Sequence, residues 1–120
     1  MDVVLTLEIS GSAARASKVA LALRDLLARD GRPDLARLAE AIHVEAVQSR
    51  ARLRGAAGDP TTLEVISSAE RASQVALSLH GLLLAAGRHD LARLAWVLYC
   101  EASTSAETMG GLLGIEVAVA

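Results

Sequence analysis

The side chains best suited to nucleophilic or metal chemistry are three histidines and a single cysteine. Cys100 with His80 as its base would be a nucleophilic pair, because cysteine chemistry needs a thiolate beside a general base. The candidate metal ligands are His43, His80, His89 and Cys100. None of them is paired at the Cys-x-x-Cys or His-x-x-x-His spacing of a metal site. We therefore predict no catalytic residue, no bound metal and no cofactor.

Two further segments have side chains that suit anionic partners. The run Ser10-Gly11-Ser12 precedes a helical pattern, where free amides can bind an anion, although a capped helix start explains it more simply. Arg50, Arg52 and Arg54 form a short basic cluster at the end of a helical pattern, where cations suit the helix dipole. The net charge is −2, so we predict no nucleic-acid partner.

Composition limits the class of protein. The chain has 120 residues, 52% of them hydrophobic and 22% charged, which fits one folded domain over 1–120 and excludes disorder. A lone cysteine forms no internal disulfide, and the acidic start, Met1-Asp2-Val3-Val4, does not resemble a signal peptide. No uncharged stretch is long enough to span a membrane. We expect a soluble protein of a reducing, cytoplasm-like environment with no membrane partner.

The sequence is an internal duplication with an offset of 56 residues. When Arg15–Ala46 is placed over Arg71–Ala102, 19 of 32 positions are identical. The match extends in both directions and gives repeats at 5–60 and 61–113, with a closing segment at 114–120 that begins like a third copy. Agreement of this extent is specific for duplication.

Each repeat opens on a segment in which apolar and polar residues alternate. Alternation with β-branched residues predicts a half-buried strand at 3–9, 62–65 and 115–119. Gly11, at the end of the first segment, favours a break there. The rival interpretation runs these segments into the following helices, and Asp59-Pro60 would then make a good helix start.

Two amphipathic helices follow each opening segment, with apolar residues three and four apart. Their boundary signals recur at matching places. In pairs, these are Ser12 and Ser68 as N-caps, Gly31 and Gly87 as C′ glycines, Asp34 and Asp90 as N-caps of the second helices, and Gly55 and Gly110-Gly111 as their ends.

The predicted fold is therefore α+β, in the order β-α-α-β-α-α-β, with a small antiparallel sheet covered by two helical hairpins. The alternative is an all-α four-helix bundle made of two hairpins. In element order alone, the doubled strand-helix-helix resembles the tandem ribbon-helix-helix proteins, a resemblance that implies DNA binding. The outward strand residues Glu8 and Glu64 argue against it, because they would repel phosphates.

Positions that differ between the copies mark different surroundings. The second copy is the more apolar at Leu84, Trp96, Val97, Tyr99 and Cys100, which replace Ala28, Glu40, Ala41, His43 and Val44. We interpret these five as a candidate interface, with the first repeat or with another subunit. The alternative interpretation is a ligand pocket around Trp96, Tyr99 and Cys100.

The regular helices, caps and short loops of the doubled unit resemble those of computationally designed repeat proteins. That resemblance implies a non-catalytic scaffold. A three-stranded sheet would also leave two open edges, and a second subunit could pair with one of them. We therefore predict a homo-oligomer, most simply a dimer, with no small-molecule ligand. The alternatives are a DNA-binding module and a small-molecule-binding helical pocket.

Overall fold

The computed structural model of the chain describes the backbone of residues 3–54 and 59–113 and the side chains of 9–51 and 66–107. It contains four helices: α1 (Val3–Arg29), α2 (Pro33–Arg54), α3 (Asp59–Ala85) and α4 (His89–Leu113). The predicted α+β fold is wrong, since no strand or sheet occurs among the described residues. The alternative, a four-helix bundle of two hairpins, is the observed architecture.

The predicted strands at 3–9 and 62–65 are the first turns of α1 and α3. Ile9 is 4% exposed and Ile66 is 5% exposed, and each continues the buried stripe of its helix. The short alternation of apolar and polar residues was typical of a strand, but these segments continue the helical spacing of apolar residues in α1 and α3. The resemblance to ribbon-helix-helix proteins, which needs the strands, is lost with them. The third predicted strand, with the closing segment 114–120, lies outside the described residues.

Several predicted helix boundaries are also wrong. Gly11 and Ser12 lie inside α1, and Ser68 lies inside α3, so neither serine is an N-cap. Helix α2 starts at Pro33 and α4 starts at His89, so Asp34 and Asp90 lie within the first turns of these helices. Their negative charge there interacts favourably with the helix dipole. The pKa of each aspartate is lowered by a side-chain hydrogen bond from the neighbouring arginine, Arg32 or Arg88, and by backbone hydrogen bonds. At the other end, α4 continues through Gly110-Gly111, whereas Gly55 lies outside the described residues.

The two turns inside the hairpins agree with the prediction from glycine. Gly31 and Gly87 have φ of 70° and 74°, a left-handed conformation that favours glycine. In each turn the next residue's N–H donates five residues back, from Arg32 to the Leu27 carbonyl at 2.9 Å and from Arg88 to the Leu83 carbonyl at 2.9 Å. This pattern, the Schellman motif, satisfies the carbonyls at the end of the helix.

The bundle core is built from equivalent positions of the two repeats. Helix α1 packs on α2 and α3 packs on α4; between the hairpins, α2 contacts α3 and α1 contacts α4. Fully buried leucine and alanine positions recur at the offset of 56: Ala20 and Ala76, Leu23 and Leu79, Ala39 and Ala95 are each 0% exposed. Alanine at these positions allows the close approach of helix axes that a phenylalanine-free core needs.

Candidate functional site

The five residues singled out from the sequence lie on the surface of the second hairpin. Leu84 is 42% exposed, and Trp96 and Val97 are each 45% exposed. Cys100 is exposed as well, while Tyr99 is half-buried and packs against the core. Within one chain, this surface is therefore not covered by the first repeat.

The position of this surface follows from the inward stripe of α4. Leu91, Ala95 and Leu98 are at most 3% exposed, and Ala102 and Ala106 continue the same stripe. A helix turns 100° per residue, so the residues opposite this stripe point to solvent. We call those residues the α4 outer face; its members are Arg93, Trp96, Val97, Cys100, Thr104 and Glu107, all of them exposed.

Three rings lie side by side along the border of α3 and α4. The ring centroids of His80 and Trp96 are 5.1 Å apart, and those of Trp96 and Tyr99 are 5.0 Å apart. These distances lie within the range of favourable aromatic contacts. His80 is held in place because its Nδ1 lies 2.9 Å from the carbonyl oxygen of Ala92. The cluster fixes the indole of Trp96 although nearly half of that residue faces solvent.

The first repeat carries an ion pair at the same place. Arg24 and Glu40 correspond to His80 and Trp96, and the Arg24 guanidinium donates to the Glu40 carboxylate at 2.6 Å. The pKa of Arg24 is raised by its hydrogen bonds to Glu40 and Asp25. One backbone thus presents a charged pair on one side of the bundle and an aromatic pair on the other. This comparison separates what the fold requires from what the second repeat adds.

A groove with a volume of about 380 Å³ runs along the α4 outer face. It is lined by Trp96, Val97, Cys100, Thr104 and, on the side of α1, Glu101. All five lining residues belong to α4, so the groove is a shallow, open depression beside Trp96. Such a shape suits a helix of another chain better than it encloses a small molecule.

A polar cluster joins α4 to α1. The carboxylate of Glu101 accepts hydrogen bonds from the hydroxyl of Ser12 and from Nε of Arg15, the latter at 2.9 Å. Ser105 in turn donates to Ser12 at 3.1 Å. Although burial alone would raise the pKa of Glu101, the hydrogen bonds from Arg15 and Ser12 lower it below its ordinary value.

An equivalent cluster joins α2 to α3. The carboxylate of Glu45 accepts from the hydroxyl of Ser68 and from Nε of Arg71, the latter at 2.9 Å. Ser49 donates to Ser68 at 2.9 Å, as Ser105 does to Ser12 in the first cluster. Each glutamate therefore binds residues of the other repeat, so the two clusters connect the hairpins reciprocally.

Between the clusters lies a small, partly open cavity of about 40 Å³, bordered by both glutamates and by small side chains of all four helices. This volume is enough for a few water molecules. The hydroxyls of Ser12, Ser49, Ser68 and Ser105 donate to protein acceptors. The polar groups of this cavity are thus engaged in holding the hairpins together.

The remaining candidates from the sequence are distributed over all four helices. Nδ1 of His80 is hydrogen-bonded to a main-chain carbonyl, whereas Cys100 lies on the α4 outer face. Among the described residues, no three His, Cys, Asp or Glu side chains are placed to hold a metal ion. Ser10-Gly11-Ser12 is interior to α1 and forms no helix start. Of the basic cluster, only the Arg50 side chain lies in the described part, half-buried with an unpaired Nε.

Comparison with known proteins gives no relative. No protein-family model, curated protein or solved structure matches the chain. Among its described residues, no helix has both the length and the apolar character needed to cross a membrane. Function must therefore be inferred from the surfaces of this bundle alone.

Sequence reasoning missed the two glutamate clusters, although a signal for them was present. Ser12, Arg15, Glu45 and Ser49 recur at the offset of 56 as Ser68, Arg71, Glu101 and Ser105. Polar residues retained in both copies, amid apolar neighbours, indicate a shared structural contact. Some differences between the copies instead lie at the surface, such as Glu40 against Trp96, where the same helix accommodates both side chains.

Proposed function

We propose that this chain is a non-catalytic helical module that self-associates as a homodimer through the α4 outer face. The observation that carries the proposal is the exposure of Trp96, Val97 and Leu84, which in the first repeat are Glu40, Ala41 and Ala28. Tryptophan is among the residues most enriched at interface hot spots. The repeat shows that the fold itself does not need these apolar side chains.

Open sheet edges give no support to association, because the described residues contain no sheet. The apolar face is independent of them. Trp96 already packs against the rings of His80 and Tyr99, which reduces the conformational entropy that its indole loses on binding. A prearranged aromatic side chain beside an open groove supports a protein–protein contact more strongly than an enclosed ligand site.

The test exchanges the aromatic pair for the ion pair of the first repeat. The double variant His80→Arg with Trp96→Glu copies Arg24 and Glu40 onto the second hairpin, where the same backbone already accommodates them. We expect the wild-type chain to form a dimer on a sizing column with light-scattering detection, and the double variant to be a folded monomer. An anchoring tryptophan contributes about 2 kcal/mol, and a symmetric dimer loses two of them, so the dissociation constant should rise by roughly a thousandfold.

The matched control is Glu40→Ala, which breaks the pair on the opposite hairpin and should leave the dimer intact. Circular dichroism checks that every variant stays helical. A wild-type mass equal to that of one chain, 12.5 kDa, at high micromolar concentration would overturn the proposal. So would a double variant that remains a dimer.

A further inference from the structure

The charges on the α4 outer face are arranged symmetrically about its middle. Arg93 and Glu107 are both exposed and lie on either side of Cys100, each about two helical turns away. Since α4 spans His89–Leu113, Cys100 is also close to the midpoint of the helix. The face is therefore basic toward its start, apolar near its centre and acidic toward its end.

This arrangement is complementary to itself in one orientation. When two copies of α4 pack antiparallel about a two-fold axis at Cys100, Arg93 lies opposite the partner's Glu107, and the same pair forms again at the other end. Parallel packing would instead place like charges together, which is destabilising. A two-fold interface uses the same surface on both subunits, as this self-complementary pattern allows.

We infer that the occupant of the α4 outer face is a second copy of α4, antiparallel and centred on Cys100. This inference rests on the proposed function and specifies its geometry. In this register Trp96 faces Thr104 of the partner subunit, and the two helices overlap over nearly their whole length.

The first repeat lacks the same complementarity. Arg37 corresponds to Arg93, but Ala51 stands where the second repeat has Glu107. Glu40 also replaces Trp96 at the centre of that face. An antiparallel pair of α2 helices would leave Arg37 without an acidic partner, so the duplicated surface is not an equivalent site. The acidic residue and the apolar anchor thus occur together, on the same helix.

The length of α4 sets the size of the contact. The 25 residues of α4 extend about 37 Å. A strip of that length and one helix diameter wide, about 10–12 Å, covers roughly 400 Å² per partner, so residues that flank α4 must contribute for the interface to reach the roughly 800 Å² of a standard one. This is a modest share of the chain's total accessible surface of 6416 Å².

Charge reversal tests the orientation. Arg93→Glu or Glu107→Arg alone replaces two attractions per dimer with two repulsions, and we expect each to weaken dimerisation by about tenfold at low salt. The combined variant restores opposite charges and should recover the wild-type dissociation constant within about threefold. Arg93→Glu places a negative charge toward the start of α4, and Glu107→Arg places a positive charge toward its end. Both changes are favourable with respect to the helix dipole, so the fold should not be weakened. The effect should shrink at high salt because exposed charges are screened.

Cross-linking tests the position of the axis. Helix axes in contact lie about 8–10 Å apart, so the two thiols at the axis are within reach of a short bismaleimide. We expect the wild-type chain, whose only cysteine is Cys100, to form a covalent dimer in high yield. The matched control is Cys100→Ser with Val44→Cys, which moves the thiol to the corresponding exposed position of α2 and should not cross-link.

The outcomes separate this inference from the broader one. If the wild-type chain is a dimer that Trp96→Glu dissociates, but neither charge reversal nor cross-linking behaves as expected, the antiparallel register is wrong and self-association through this face stands. If the wild-type chain is monomeric, both are wrong. Recovery by the charge-swapped double variant, together with cross-linking at Cys100, would support the register.

Discussion

The contact of Glu101 with α1 gives a quantitative test of how the hairpins are joined. Glu101→Ala removes the carboxylate that accepts from Ser12, which is 8% exposed, and from Arg15, whose side chain is 64% exposed. A buried donor left without a partner costs about 1–3 kcal/mol, whereas an exposed ion pair contributes about 0–1 kcal/mol. The Ser12 hydroxyl also lies 3.4 Å from the main-chain oxygen of residue 101, which the variant keeps. We therefore expect the free energy of unfolding to fall by about 1–2 kcal/mol.

The same contact predicts a dependence on pH. The pKa of Glu101 is lowered in the folded chain, because the hydrogen bonds from Arg15 and Ser12 outweigh the effect of burial. A carboxyl whose pKa falls on folding stabilises the protein above its unfolded pKa, about 4.3 for glutamate. That stabilisation is lost as the pH falls through the folded pKa. Glu101→Gln keeps an acceptor for Ser12 but does not titrate, so it should lose less stability in acid than the wild-type chain.

The assay is urea denaturation followed by circular dichroism, at one protein concentration and at about pH 7 and about pH 3. Because Glu45 occupies the equivalent place, Glu45→Ala should cost a similar amount, and Arg15→Ala should cost less than either. A Glu101→Ala variant within about 0.5 kcal/mol of the wild-type chain would refute the reasoning. Equal acid destabilisation of the wild-type chain and Glu101→Gln would refute the account of the pKa.

Two further predictions concern the turns and the core. Gly31→Ala and Gly87→Ala each place a Cβ in a left-handed conformation, so each should lower the free energy of unfolding by about 1–2 kcal/mol in urea denaturation; no loss at either position would contradict the assigned turns. Leu98→Ala empties a site that is 0% exposed and should cost about 2–5 kcal/mol, whereas Leu84→Ala, at a residue 42% exposed, should cost under about 0.5 kcal/mol below the dimerisation range. Similar costs at the two leucines would be inconsistent with this packing.

Local rules made much of the bundle predictable. To predict Gly31 and Gly87 as C′ residues required only the backbone preference of glycine, and both have a positive φ. Helical spacing correctly predicts the burial of Leu23, Leu79 and Leu98. It is wrong for Leu26 and Leu82, which it assigns to the same faces but which are exposed. The prediction of strands in the opening segments was wrong for a physical reason. Over so few residues, periods of 2 and 3.6 select overlapping positions, and only the continuing helix that buries Ile9 and Ile66 distinguishes them.

The sequence by itself determined the duplication, the turns and the apolar character of the second hairpin. Tertiary structure decided which surfaces those residues occupy. Ser12 and Ser68 suit a helix cap as well as a helix interior, and the approach of Glu101 and Glu45 from the other repeat gives their hydroxyl protons a carboxylate acceptor. Trp96 would be core in many helical folds; here it is exposed because the neighbouring residues Ala95 and Leu98 already fill the interior. Local preferences act within a few residues, whereas burial depends on which helices meet.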